Sequence, residues 1–178
     1  MASSNEMLQY KDLTPAPRLD NKTLNKMVWR SCQLQACFNY ERMLSAGGLW
    51  PMLRGLQKIH TNKEELAASM THNLDFLNTH PFAVTFVMGM VLSMEQQKMD
   101  IQTIRSVRIS VAAPLGGIGD ALFWMTLIPI VAGMTAQMAI DRSWLGPILY
   151  FVIAFGVEMA LRYGLMYWSY NMEDLSLL

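Results

Sequence analysis

Apolar residues recur at helical spacing along most of the chain. From Asp20 or Thr23, either of them a suitable N-cap, Leu24, Met27, Val28, Leu34 and Phe38 mark one face, which predicts an amphipathic helix to about Ser45, ended by Gly47-Gly48. Gln35 and Asn39 share a face of it, while Glu41 and Arg42 lie off that face. Trp50-Pro51 opens a second short helix with Leu53, Leu56 and Ile59 on one side, proline being suited to the first helical position. Thr61-Asn62-Lys63-Glu64 fits a capping box, and Leu66, Met70, Leu74 and Leu77 carry the next helix to Asn78-Thr79-His80-Pro81. Pro81 to Met94 is uncharged but short for a membrane span, so it stands as a buried core helix, a re-entrant arm or an interfacial piece. A polar hinge from Glu95 to Asp100 ends it.

The second half is more apolar. Ile101, Ile104, Val107 and Val111 outline an amphipathic helix that is expected to lie at the membrane interface, with Arg105 and Arg108 at headgroup level. Pro114-Leu115-Gly116-Gly117-Ile118-Gly119-Asp120 follows, and it leads directly into the uncharged run Ala121 to Ile140. A helix crossing the hydrocarbon core needs about 20 mostly apolar residues, and this run qualifies, with Thr126, Thr135 and Gln137 its polar interruptions. The glycines permit positive φ and close backbone approach, as a re-entrant tip requires. Asp120 at the mouth of the run needs a partner, since an acid there costs roughly 2.5–3.5 kcal/mol. Pro129 invites a kink or a break into two arms of a hairpin. After Asp141-Arg142-Ser143 the apolar pattern resumes from Trp144 to Val157. Glu158 and Arg162, four apart, are placed to pair, and Tyr163, Tyr167, Trp168 and Tyr170 cluster as aromatics do at a membrane boundary.

Composition supports a membrane protein: 52% of the 178 residues are hydrophobic and 16% charged, too apolar for a typical soluble domain. The fold class predicted is therefore all-α and membrane-embedded, with amphipathic N-terminal helices followed by apolar transmembrane and re-entrant hairpin segments. Residues 1–20, polar and interrupted by Pro15 and Pro17, are expected to form a flexible lead that packs little, without a signal peptide, ahead of a helical domain over 21–178. Formal net charge is zero, so no nucleic-acid partner is implied. Cys32 and Cys37 have neither redox nor zinc spacing and are expected to be reduced and largely buried. His60, His72 and His80 form no zinc or nucleophile pattern, and the glycine stretch lacks the Lys-Ser or Lys-Thr of a nucleotide loop. No metal, cofactor or catalytic residue is expected.

The motifs together resemble one family. Leu24 to Ser31, Gln35-Ala36-Cys37-Phe38-Asn39-Tyr40-Glu41-Arg42-Met43, Asn78-Thr79-His80-Pro81-Phe82, Ala113 to Trp124, and Leu145-Gly146-Pro147-Ile148-Leu149 run in the order found in the IID membrane component of mannose/fructose/sorbose-type sugar phosphotransferase systems. The resemblance implies a non-catalytic membrane subunit of a bacterial inner (cytoplasmic) membrane, multi-pass or membrane-embedded. It would work in an oligomeric complex, surrounded by lipid, with a IIC subunit to carry a sugar inward, while the phosphocarriers IIB and IIA supply phosphate. It also implies that Asn39, Glu41, Asn78, His80 and Gln35 face the sugar, and that Pro114, Gly116, Gly117, Gly119 and Asp120 have a structural or gating role. Leu127-Ile128-Pro129-Ile130 looks closer to the N-acetylgalactosamine/amino-sugar branch. Family members continue past the position of Tyr170, so a C-terminally shortened member is expected; the alternative function is a transport-inactive remnant acting only as a structural membrane protein.

Overall fold

The computed structural model describes residues 9–172. Its centre is the helix α4, Val84–Gln96, whose residues from Val87 to Glu95 are all buried. A helix apolar on every side has no solvent face to offer and settles at the core. Val87, Met88, Met90, Leu92 and Met94 are enclosed there, each worth about 1.5–3 kcal/mol of burial. Of the three expectations for this segment, the core helix is the one observed. Around it stand α1 (Asn21–Ser31), α2 (Ser45–Ile59), α3 (Lys63–Asn73), the first half of α5 (Ile101–Gly119) and the second half of α7 (Leu145–Tyr170).

The single helix predicted from Asp20 to Ser45 is in fact α1, a 3-10 turn at Leu34–Cys37, and a loop. Past the turn the helix does not resume: the Asn39 side-chain oxygen accepts from the Arg42 N–H at 2.8 Å, an alternative to helical bonding, and Met43 follows at φ 52°. Gly47 and Gly48 do not end a helix but lie buried inside α2, which begins before them and carries Pro51 in its interior. Asn62, rather than Thr61, caps α3 by accepting from the Glu64 N–H at 2.9 Å. That helix stops at Asn73, short of the predicted Asn78, and the Arg108 guanidinium donates to the carbonyls of Asn73 (3.0 Å) and Asp75 (3.1 Å). Arg108 is therefore buried, and Arg105 pairs with Asp75 at 2.8 Å; neither extends to a headgroup layer, because the end of α3 uses their charge.

The glycine stretch holds the largest departure. It is helix throughout: α5 runs to Gly119, a π-helical segment covers Asp120–Leu127, and α6 takes Ile128–Ile140, one continuous rod of 40 residues, about 60 Å at 1.5 Å per residue. Among the described residues no glycine has positive φ. Pro129 neither breaks nor folds the rod. The missing amide of Pro129 falls in the first turn of α6, and the wider π turns lie just upstream, where the Thr126 hydroxyl donates to the Ala121 carbonyl at 2.8 Å. The chain reverses instead at Asp141–Trp144, and α7 packs back along α6.

This hairpin projects from the helical body with apolar side chains on its outside. Ile130, Met134, Ile140, Trp144, Ile148 and Phe151 are all exposed. Only 17% of the most apolar window of the α5–α6 rod and 6% of that of α7 is buried, whereas the core helix of a soluble protein would be mostly enclosed. Both helices are long and apolar enough to cross a membrane.

Three further expectations change. Residues 9–20 are largely exposed but anchored: Tyr10 and Leu19 are buried, and the Ala16 N–H donates to the Gln96 carbonyl at 2.8 Å. Cys32 and Cys37 are exposed, because α1 ends at Ser31 and the following turn leaves them on its outer side. Glu95 and Gln96 belong to α4, and the turn expected there is carried by Lys98 at φ 55°. The Glu158–Arg162 pair forms at 2.9 Å, and Arg162 also donates to the carbonyl of Ser31 (3.2 Å) and its hydroxyl (2.9 Å), fixing α7 to α1. Residues 1–8, the outer part of the predicted lead, and residues 173–178 lie outside the described residues.

Candidate functional site

The 3-10 turn, the loop Phe76–Pro81 and the α5-to-π junction enclose one cavity of about 460 Å³. That is within the roughly 300–1,000 Å³ of small-molecule sites. Gln35 and Phe38 come from the turn, Asn78, Thr79 and His80 from the loop, and Ala113, Gly116, Gly117, Asp120 and Trp124 from the rod. The helical course of the glycine stretch makes this possible: where larger side chains would fill the space, the rod presents bare backbone to the loop. At Gly119 the fit is absolute, since a Cβ there would stand 2.2 Å from the His80 Cβ.

His80 is the most constrained residue of the site. Its ring stacks on Phe123 with centroids 4.8 Å apart and meets Phe82 edge-on at 5.0 Å. The Phe82 N–H donates to Nδ1 at 3.2 Å, which assigns the proton of the neutral ring to Nε2. Burial holds the imidazole below its usual pKa, and the Asp120 carboxylate only partly opposes this, so the ring is neutral at physiological pH. Nε2 is buried without a hydrogen-bond partner, 3.9 Å from the nearer Asp120 oxygen. The neighbouring Thr79 hydroxyl is likewise buried and unpartnered. Two adjacent residues on a cavity wall thus carry unsatisfied polar atoms, each costing about 1–3 kcal/mol while it stays so. Hydroxyl groups are the chemistry that would satisfy both, and Trp124 adds an apolar surface to the same lining.

The residues singled out from the sequence divide. Gln35, Asn78, His80, Gly116, Gly117 and Asp120 line the cavity; Gly119 packs behind it; Pro114 lies exposed on the rod away from it. Asn39 and Glu41 are outside the lining, on the loop between Phe38 and Leu44, both of which do line it. The Glu41 side chain is 84% exposed. Thr79 and Trp124 join the site unannounced. Thr79 sits inside the Asn-Thr-His cluster, where its polarity was the available signal; Trp124 is one of many aromatics in apolar sequence, and nothing in spacing separates it from the rest.

A second polar constellation lies deeper. Glu95, fully buried on α4, accepts from His60 and His72 (both 2.8 Å), Ser69 (2.8 Å) and Asn73 (3.2 Å), and from the Tyr10 hydroxyl. Lys98 donates to His60 Nδ1 and to Glu65, both at 2.9 Å, which makes Nε2 the protonated nitrogen of a neutral His60. Burial alone would raise the Glu95 carboxyl, but the bonds from His60, His72 and Tyr10 outweigh it and hold the group below the usual carboxylate range. Glu65 behaves similarly: burial is overcome by the Asp12 amide and Lys98, bringing it to about 2. Five of its hydrogen bonds converge on Glu95, so the cluster is architectural, binding the N-terminal segment, α2, α3 and α4 to one carboxylate. Among the described residues no group of three or more His, Cys, Asp or Glu side chains is placed to hold a metal ion.

An apolar, exposed helical hairpin on a helical body with its own hydrophobic core, and a cavity of small-molecule size where they meet, defines a membrane protein. A family model described as the mannose/fructose/sorbose family IID component of the phosphotransferase system matches residues 18–175, and the chain belongs to that family. It is 29% identical over 171 residues to the mannose-specific EIID component of Escherichia coli strain K12, covering 93% of this chain and 60% of that one. It is 36% identical over 137 residues to the sorbose-specific EIID component of Lacticaseibacillus casei, covering 74% and 49%. In three dimensions it is similar to a chain of a cryo-EM structure of the mannose transporter ManYZ in complex with microcin E492. The TM-score is 0.84 at 28% identity, covering 88% of this chain and 59% of that one. The chain thus spans about 60% of the length of the E. coli relative.

Proposed function

We propose that this chain is the IID subunit of a phosphoenolpyruvate-dependent sugar phosphotransferase complex of the bacterial inner membrane, and that it forms, with a IIC partner, the path for a hexose or an N-acetylated or amino sugar phosphorylated by IIB. The observation that carries the proposal is the pair of unpartnered buried polar atoms, Thr79 Oγ1 and His80 Nε2, in a cavity beside Asn78, Gln35 and Asp120. Family membership and the relatives named for mannose and sorbose support a sugar as the ligand. Asn39 and Glu41 have a part in this scheme. Their loop is at the cavity rim, flanked by two lining residues, and its exposed face is where a IIC subunit closing over the mouth would press both side chains toward the sugar.

The test is sugar binding and phosphorylation-coupled uptake by membranes holding this chain with IIC and IIB. Asn78→Ala and Glu41→Gln are each expected to abolish binding while leaving the complex in the membrane. Unchanged affinity in both variants would contradict the assignment.

A further inference from the structure

Zero net charge conceals a strongly one-sided surface. On α1, Lys22, Lys26 and Arg30 repeat every fourth residue; on α2, Arg54 and Lys58 do the same. The helices pack antiparallel, so the rows match level by level: Lys58 bonds Asp20 (2.5 Å) beside Lys22 at one end, and Arg30 lies 4.8 Å over the Trp50 ring at the other. Between them runs a groove of about 490 Å³, with Lys22 and Lys26 on one wall and Arg54 and Lys58 on the other. Asp20 is the only acid in it. Lys22, Lys26 and Arg54 make no ion pair or hydrogen bond with any described residue. Their mutual repulsion is felt at Lys26, whose ammonium is held below the usual lysine range by Arg54 first, then by burial, Arg30 and Lys22. Such a groove, with four cations to one carboxylate in its lining, attracts a further anion.

Helix α7 shows at what depth the groove lies. Its first half, from Leu145 to Phe155, is the exposed apolar shaft. Beyond it, Cys32 Sγ lies 3.7 Å from Met159 Sδ, Arg162 bonds Ser31, and the Tyr167 hydroxyl bonds Asn25 at 2.6 Å. So α1 runs antiparallel to the last turns of α7, its C-terminus nearest the shaft. Moving away from the shaft, the surface presents first exposed Trp29 and Trp50, then Lys26 with Arg54, then Lys22 with Lys58. Hydrocarbon, indole and cation in that order is the sequence of environments at a membrane boundary.

From the matched rows and this order we infer that the α1–α2 groove is a binding site for the phosphate of an anionic phospholipid headgroup, in the leaflet on the side of the helical body. The two tryptophans sit at the level of the glycerol backbone, and the unpaired cations close on the phosphate from both helices. The inference rests on the membrane placement of the hairpin and is independent of the sugar site.

The test is the chain reconstituted into nanodiscs of phosphatidylcholine with a minor fraction of phosphatidylglycerol, with retained lipids counted by native mass spectrometry. Phosphatidylglycerol should be retained in preference, and the preference in the wild-type chain should fall as salt is raised. K26Q/R54Q, which removes no bond within the chain, should reduce it roughly 25-fold, at about fivefold for each cation near an anionic surface. Added inorganic phosphate should leave the lipid in place. Equal retention of the two lipids, a preference indifferent to salt or to the double substitution, or displacement by phosphate would each overturn the inference. Failure to enter nanodiscs at all would refute the membrane placement itself; entry without lipid preference refutes this inference alone.

Discussion

Glu95 shows how much one side chain can organise. A buried carboxylate is tolerable only with its lone pairs filled, and five donors from three segments of chain converge on it. Glu95→Gln leaves those donors without their charge and is expected to destabilise the fold by about 3–5 kcal/mol, measured as a lowered thermal midpoint in detergent. Both Glu95 and Glu65 titrate lower folded than unfolded, so their stabilisation is complete above the unfolded value near 4.5 and declines as pH falls toward the folded one, about 2 for Glu65. Thermal midpoints should therefore drop through that acid window, and by less in Glu95→Gln. None of this was legible in the sequence, where Glu95 belongs to an apparent polar hinge and Tyr10, His60 and His72 stand far from it and from one another; only the fold brings them together. At the cavity, Thr79→Val removes an unpartnered hydroxyl with little change of shape. It is expected to raise the thermal midpoint without sugar and to weaken sugar binding about fivefold or more, a divergence that a purely structural threonine would not show.

Among the elements, the apolar segments were recoverable from periodicity and the interruptions were not. Pro81 to Met94 carries its burial in its composition, and the pairing of Glu158 with Arg162 follows from a spacing of four. Glycine was the misleading signal. In Gly116-Gly117-Ile118-Gly119 and in Gly47-Gly48 the expectation of a turn assumes that glycine is chosen for backbone freedom, whereas the helices use it for the absence of a side chain, at Gly119 to admit His80. The core contact of α4 with α7 depends on the same property: a Cβ at Gly89 would stand 2.2 Å from the Ser169 hydroxyl and 2.7 Å from the Met166 carbonyl. Gly89→Ala is expected to separate the two helices and cost about 1–3 kcal/mol in thermal unfolding, because a backbone carbonyl cannot rotate away. The reverse error occurs at Asn39, whose capture of the Arg42 amide holds a loop where hydrophobic spacing alone would continue a helix.

On the scale of the whole molecule, a body with an apolar core and one buried polar cluster carries a hairpin with a greasy exterior, and the cavity lies at their junction. The apolar runs and five motifs in register were enough for the membrane class and the family. The faces were not: Arg105 and Arg108 turn inward to the end of α3, while Lys22, Lys26, Arg54 and Lys58 gather in one groove of α1 and α2, a distribution that zero net charge hides. If the shaft lies in lipid, a charge on it is intolerable. Phe151→Asp, on its exposed side, should reduce membrane integration by roughly 2.5–3.5 kcal/mol, seen as a smaller inserted fraction in a glycosylation-mapping assay. The most direct measurement of all is a cryo-EM structure of this chain assembled with a IIC subunit in the presence of the proposed sugar. The account predicts sugar density in the cavity between the Phe76–Pro81 loop and the α5-to-π junction, with hydroxyls within hydrogen-bonding distance of His80 Nε2 and Thr79 Oγ1. Sugar bound elsewhere in the complex, with those two atoms still unpartnered, would contradict it.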